Sequence, residues 1–104
     1  MPIARVPLAS LLDRKPIRIA HPPYDIVVVR VDEAIFALED ACNHSSASLS
    51  EGFVREDCLV CPAHGFAFAL ATGELVDPPG RCGDQRVYVV SIIDGEAWLA
   101  DPER

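Results

Sequence analysis

The chain has 104 residues, of which 50% are hydrophobic and 24% are charged, and its formal net charge is -7. This length allows one compact domain over residues 1–104, and the composition excludes a disordered tail and a fibrous repeat. The acidic charge disfavours nucleic acids and anionic membrane surfaces as partners, because both would repel the chain.

Short runs of Val, Ile, Phe and Tyr, separated by prolines and glycines, predict an all-β fold. We expect a first strand that leads into one short helical turn between Leu8 and Asp13. Two apolar runs, residues 24–31 and 34–39, flank Asp32-Glu33 and predict a hairpin whose turn lacks glycine.

A second hairpin is predicted near the end of the chain. Residues 86–93 and 96–99 flank Asp94-Gly95, a dipeptide that suits the two positive φ angles of a type I′ turn.

No apolar run approaches the roughly 20 residues that a membrane-spanning helix needs. No apolar stretch of secretory length precedes Asp13, so a cytoplasmic location is the default expectation.

The cysteines and two of the three histidines are concentrated in the middle of the chain. In a reducing compartment, clustered cysteines bind metal or take part in redox chemistry more often than they form disulfides. Two pairs stand out, Cys42-Asn43-His44 and Cys61-Pro62-Ala63-His64, with residues 45–60 between them. Each pair offers one thiolate and one imidazole, so the two loops could form a four-ligand metal site. A zinc finger would instead place two Cys on one limb and two His on the other.

A binuclear [2Fe–2S] cluster with two Cys on one iron and two His on the other explains this mixture of ligands. The pairs Cys-x-His and Cys-x-x-His at this spacing resemble the signature of Rieske iron–sulfur proteins. The resemblance extends to positions beside each pair: Leu49-Ser50-Glu51-Gly52, Gly65, Phe68 and Thr72-Gly73-Glu74.

The resemblance implies one Rieske-type [2Fe–2S] cluster with four ligands: Cys42, His44, Cys61 and His64. It also implies a Rieske-type fold, in which an antiparallel β-sandwich or barrel body carries a small cluster-binding subdomain at about residues 40–82. The loop Asp77-Pro78-Pro79-Gly80 would then cover the cluster, although such a sequence is also a simple turn.

Four positions depart from the high-potential Rieske proteins. Ala47 and Ala63 stand where those proteins carry the cysteines of a disulfide that ties the ligand loops. Phe66 and Phe68 stand where they carry a Ser and a Tyr whose hydroxyls bond cluster sulfurs. Without these donors the reduced cluster is less stable, so we expect a reduction potential at the low end of the Rieske range, about -150 mV.

With its small size and expected low potential, the chain resembles the soluble Rieske ferredoxins. These proteins carry single electrons from a flavin-dependent ferredoxin reductase to a terminal oxygenase of the ring-hydroxylating dioxygenase type. The resemblance implies an electron carrier and not an enzyme, because only His21 is left to hold a catalytic iron. Reductase and oxygenase would dock near His44 and His64 at an exposed tip. The acidic charge would either attract a basic docking patch on the partner or simply aid the solubility of this chain.

Three alternatives stay open at this point. The chain could be the Rieske small subunit of a larger redox enzyme such as assimilatory nitrite reductase, or a structural zinc protein with the same four ligands. A disulfide between Cys42 and Cys61 is the third. Cys58 is expected to be a small hydrophobe in a buried strand, Cys82 has no assigned role, and His21 is expected in a surface loop.

Overall fold

The fold was analysed in a computed structural model, which describes residues 2–21, 25–42, 47–80 and 82–102. These residues form short strands and two 3₁₀ turns, Leu8–Ser10 and Leu49–Glu51. The strands are β1 (Pro2–Pro7), β2 (Ile17–Ile19), β3 (Ile26–Val31), β4 (Ala34–Glu39), β5 (Phe53–Arg55), β6 (Cys58–Val60), β7 (Ala67–Ala69), β8 (Leu75–Asp77), β9 (Val89–Ile93) and β10 (Glu96–Ala100). The predicted all-β class is confirmed. In this part of the chain no helix is long and apolar enough to cross a membrane.

Three antiparallel sheets organise these strands, in the orders β1-β10-β9, β2-β3-β4 and β5-β6-β7-β8. Strand β3 separates two hydrophobic cores, because successive side chains of a strand point to opposite faces. Val27 and Val29 pack into the core that also contains Cys42 and Cys61, whereas Ile26 and Val28 pack into the core beside β1 and β10. These four of the six β3 side chains are fully buried, which explains the uninterrupted apolar run.

The β3–β4 hairpin is confirmed, and side chains stabilise its glycine-free turn. Asp32 adopts a positive φ of 55°, a left-handed conformation that aspartate tolerates better than most residues. Its N–H donates to Asp13 Oδ1 at 2.7 Å, and its carbonyl oxygen accepts from Arg30 Nε at 2.7 Å. The predicted helical turn is shorter than expected, since only Leu8–Ser10 is helical and Asp13 pairs with Arg30.

The second predicted hairpin is also confirmed, with φ angles of 51° at Asp94 and 77° at Gly95 that fit a type I′ turn. Its first strand begins at Val89, later than the expected residue 86. Residues 86–88 pair with β4 instead: Glu39 N–H donates to the Arg86 carbonyl at 2.8 Å, and Tyr88 N–H donates to the Ala37 carbonyl at 2.9 Å. This pairing joins the end of β4 to the segment that follows the proline loop.

Candidate metal centre

The first predicted ligand pair begins where β4 ends. Cys42 is only 1% exposed, and its N–H donates to the Ala47 carbonyl at 2.8 Å. Ala41 and Ser48 form an antiparallel bridge. Residues 41–42 and 47–48 therefore form a paired base, which we call the first-loop stem. His44, the second member of the pair, lies outside the described residues.

The second predicted pair occupies the turn between β6 and β7. Cys61 is 1% exposed, and its N–H donates to the Phe66 carbonyl at 2.8 Å. The turn closes as Gly65 N–H donates to the Cys61 carbonyl at 3.0 Å, with Gly65 at a φ of 75° that favours glycine. His64 is exposed. The turn therefore buries its thiol and presents its imidazole to solvent.

Cys42 and Cys61 lie in the same hydrophobic core, and both are thiols in the structure. Soft thiolate donors in the interior, together with an imidazole at the surface, suit a [2Fe–2S] cluster bound by two Cys and two His. Among the residues that the structure describes, which leave out His44, no set of three or more His, Cys, Asp or Glu side chains is arranged to hold a metal. The structure thus brings two of the four predicted ligands into one core and places a third beside it.

The two phenylalanines that replace potential hydrogen-bond donors are buried in this core. Phe66 is 8% exposed and Phe68 is fully buried. Neither side chain carries a polar hydrogen, so neither can donate a hydrogen bond to a cluster sulfur. Their burial agrees with the reasoning behind a low reduction potential, and the value itself stays a prediction.

Two buried polar side chains that the sequence analysis missed support the first-loop stem. Asp40 is 2% exposed, and its carboxylate accepts hydrogen bonds from the N–H of Ser50 at 2.6 Å and from its hydroxyl at 3.1 Å. Gln85 is 5% exposed, and its side-chain amide donates to the carbonyls of Glu39 and Ala41 at 2.9 Å each. The position of Asp40 two residues before Cys42 is a signal in the sequence, whereas nothing in the sequence marks Gln85.

Replacing Asp40 with Ala is expected to lower the free energy of unfolding by about 1–3 kcal/mol, because the Ser50 N–H loses its buried acceptor. Asp40→Asn is the matched control, since its amide oxygen can still accept that bond. Urea unfolding followed by circular dichroism measures both changes. An Asp40→Ala variant as stable as the unmodified protein would show that the Ser50 contacts carry no net stability.

The remaining cysteines lie near the second pair. Cys58 begins β6 and is half-buried, and the next two residues of this expected buried strand, Leu59 and Val60, are buried. Burial raises the pKa of the Cys58 thiol, which therefore stays protonated at neutral pH. Cys82 is half-buried against the core that contains Cys61, and burial raises the pKa of its thiol as well.

The proline loop follows β8 and contains a cis peptide bond between Asp77 and Pro78. Pro79 and Gly80 are exposed. Its role as a cover for the cluster stays a prediction. His21, expected in a surface loop, is half-buried, and its N–H donates to Asp25 Oδ1 at 3.1 Å.

Three comparisons with known proteins show what this chain is similar to. The family model "Rieske [2Fe-2S] domain" matches residues 4–91. Ferredoxin CarAc of Metapseudomonas resinovorans is 37% identical over 79 residues, which cover 76% of this chain and 73% of that protein. The 3-phenylpropionate/cinnamic acid dioxygenase ferredoxin subunit of Escherichia coli strain K12 is 32% identical over 98 residues, covering 93% and 91%. A chain of the solved complex of reduced oxygenase and oxidized ferredoxin in carbazole 1,9a-dioxygenase has a TM-score of 0.85 at 31% identity, covering 95% of this chain and 92% of that one.

An all-β body with two buried thiols and an exposed imidazole fits an iron–sulfur protein, and the chain belongs to the Rieske [2Fe-2S] domain family. It carries a Rieske-type [2Fe–2S] cluster, which accepts and gives up one electron. The chain is therefore a ferredoxin, an electron carrier and not an enzyme. The predicted family, fold class and cofactor are confirmed.

Proposed function

We propose that this ferredoxin passes single electrons from a flavin-dependent ferredoxin reductase to a terminal oxygenase of the ring-hydroxylating dioxygenase type. The printed names of its relatives support the oxygenase: one is a dioxygenase ferredoxin subunit, and another occurs in a complex with an oxygenase. In this proposal residues 1–104 are one domain that works in the cytoplasm, with a cluster-binding subdomain at about residues 40–82.

The proposed cluster ligands are Cys42, His44, Cys61 and His64. The observation that carries this assignment is the opposite placement of Cys61 and His64 within one turn, the first 1% exposed and the second exposed to solvent. Cys42 shares the buried core of Cys61. His44 is included because its spacing from Cys42 completes the pattern of the family.

The proposed docking surface is the tip around His64. Its neighbours Pro62, Ala63 and Gly65 are exposed and have compact side chains or none, so a partner could approach the imidazole closely. His44 is assigned to the same surface by the family resemblance. The net charge of -7 would favour partners with a basic docking patch, and such attraction weakens as salt is added.

Electron paramagnetic resonance of the dithionite-reduced protein tests the cluster assignment. A cluster with mixed Cys and His ligands gives a lower average g value than one with Cys ligands alone. A silent spectrum from an iron-loaded sample would contradict it. The structural zinc alternative predicts a colourless protein with one metal ion and no labile sulfide.

The assigned role as a mobile carrier is tested by mixing the reduced ferredoxin with a ring-hydroxylating oxygenase in a stopped-flow instrument. Reoxidation that slows as salt is added is expected, because opposite charges steer the encounter. Gel filtration of the native protein is the complementary measurement. Stable co-elution with a large catalytic chain would favour the alternative of a redox-enzyme subunit, of which nitrite reductase is one example.

Replacing His64 with Ala is expected to remove the mixed-ligand resonance signal, because one iron loses an imidazole ligand. Iron content and the spectrum of the reduced protein measure the effect. His21→Ala is the matched control, since His21 lies outside the site and engages Asp25 through its backbone N–H. If cluster content, potential and spectrum all stayed unchanged in His64→Ala, the assignment of His64 as a ligand would be wrong.

A further inference from the structure

Gln85 occupies an unusual position between the two ligand-bearing parts of the molecule. It follows the proline loop, and its side chain is 5% exposed. A side-chain amide offers two N–H donors, and both are used, one for the Glu39 carbonyl and one for the Ala41 carbonyl. These two acceptors lie on either side of Asp40, so the amide forms hydrogen bonds with two alternate residues of the segment that leads into Cys42.

The opposite side of that segment is held by Asp40. Its carboxylate accepts from the Ser50 N–H and hydroxyl, while its backbone carbonyl accepts from Leu49 N–H at 2.8 Å. The segment is therefore fixed laterally between Ser50 and Gln85. Cys42 follows Ala41 directly, so a shift of the Ala41 carbonyl would move the backbone that carries the thiol.

The backbone of Gln85 is itself attached to the sheet that holds the second pair. Its N–H donates to the Gly73 carbonyl at 2.8 Å, and a Cβ built on Gly73 would overlap the Gln85 carbonyl oxygen. Gly73 lies in the turn between β7 and β8, and β7 pairs with β6, the strand that leads into Cys61. One residue thus connects the first-loop stem to the β6–β7–β8 sheet by hydrogen bonds at its side chain and at its backbone.

On the basis of the ligand set proposed above, we propose that Gln85 is a positioning residue for the cluster, which fixes Cys42 relative to Cys61. Residues that orient metal ligands through hydrogen bonds set the affinity and the electronic properties of the site. Removing the two donors leaves the Glu39 and Ala41 carbonyls without these partners and frees the stem to shift. The cluster should then be held less tightly, and its resonance signature should change.

The test compares Gln85→Leu with Leu99→Ala in the holoprotein. Leu99 is fully buried in the other core, beside β1 and β10, so its truncation lowers stability without touching the first-loop stem. For Gln85→Leu we expect transfer of iron to a chelator to be about 10-fold faster or more, together with shifted g values and a shifted midpoint potential. Leu99→Ala should leave the g values and the potential unchanged. A Gln85→Leu protein with the wild-type potential, g values and rate of iron loss would overturn the positioning role.

If Gln85→Leu does not fold, Gln85→Asn tests the positioning role instead. Its amide keeps the donor chemistry but is one methylene shorter and cannot reach both carbonyls, so the same changes are expected in weaker form. Unchanged g values and iron-loss rate in a folded Gln85→Asn protein would count against the role. If the proposed ligand set is wrong, the unmodified protein lacks the mixed-ligand signal before any substitution is made. This result distinguishes failure of the ligand set from failure of the positioning role of Gln85.

Discussion

Replacing Cys61 with Ser is expected to abolish cluster binding, so that the purified protein loses its bound iron and its visible absorption. The thiolate is the metal-binding form of cysteine, and a serine hydroxyl does not ionise to a comparable ligand near neutral pH. The substitution keeps the size of the side chain in a position that is 1% exposed. The loss would therefore reflect the missing ligand and not a cavity in the core.

Cys58→Ser is the matched control for this experiment. Cys58 lies three residues earlier, in β6, and is half-buried. It undergoes the same chemical change in the strand that leads into Cys61, and full iron content with an unaltered resonance spectrum is expected. Iron and labile sulfide analysis of both variants gives the answer. A Cys61→Ser protein that retained two irons, or a Cys58→Ser protein that lost them, would refute the assignment of ligands.

Gly73→Ala is expected to cause a large loss of stability, because two separate costs apply at this turn. Gly73 has a φ of 76°, and a Cβ there would overlap the Gln85 carbonyl oxygen. The left-handed conformation costs a non-glycine residue about 1–2 kcal/mol. Relieving the overlap adds about 1–3 kcal/mol, because the Gln85 backbone is tied to the same turn and must move.

Gly95→Ala separates these two costs. Gly95 has a φ of 77°, nearly the same as Gly73, but a Cβ there would meet no atom within 4 Å. It should lose only the conformational part, about 1–2 kcal/mol. Urea unfolding of the two holoproteins under anaerobic conditions measures the difference. Equal losses in both variants would mean that the contact between Gly73 and Gln85 is not close enough to matter.

Local features of the fold were predictable because local chemistry determines them. Asp94-Gly95 encodes the two positive φ angles of its turn, and the structure has both. The apolar run of β3 predicted a strand, yet it did not show that both faces are buried. That property depends on two cores, built from parts of the chain that are distant in sequence.

The boundary of β9 shows how tertiary contacts override a sequence pattern. Residues 86–93 have uniform strand propensity and suggest one continuous hairpin strand. In the structure, residues 86–88 form hydrogen bonds with β4, and only Val89–Ile93 pair with β10. Propensity measures the preference of a residue for extended backbone and carries no information about which strand lies beside it.

The sequence by itself determined the two Cys/His pairs that we propose as ligands and their spacing, because each pair lies within a few residues of the chain. Only the tertiary structure decided how the first-loop stem is held. Gln85 looks like an ordinary polar residue in the sequence, and it reaches the Ala41 carbonyl from 44 residues away. Such a hydrogen bond exists only after the sheets have packed and excluded water, since burial is what makes an unpaired polar group costly.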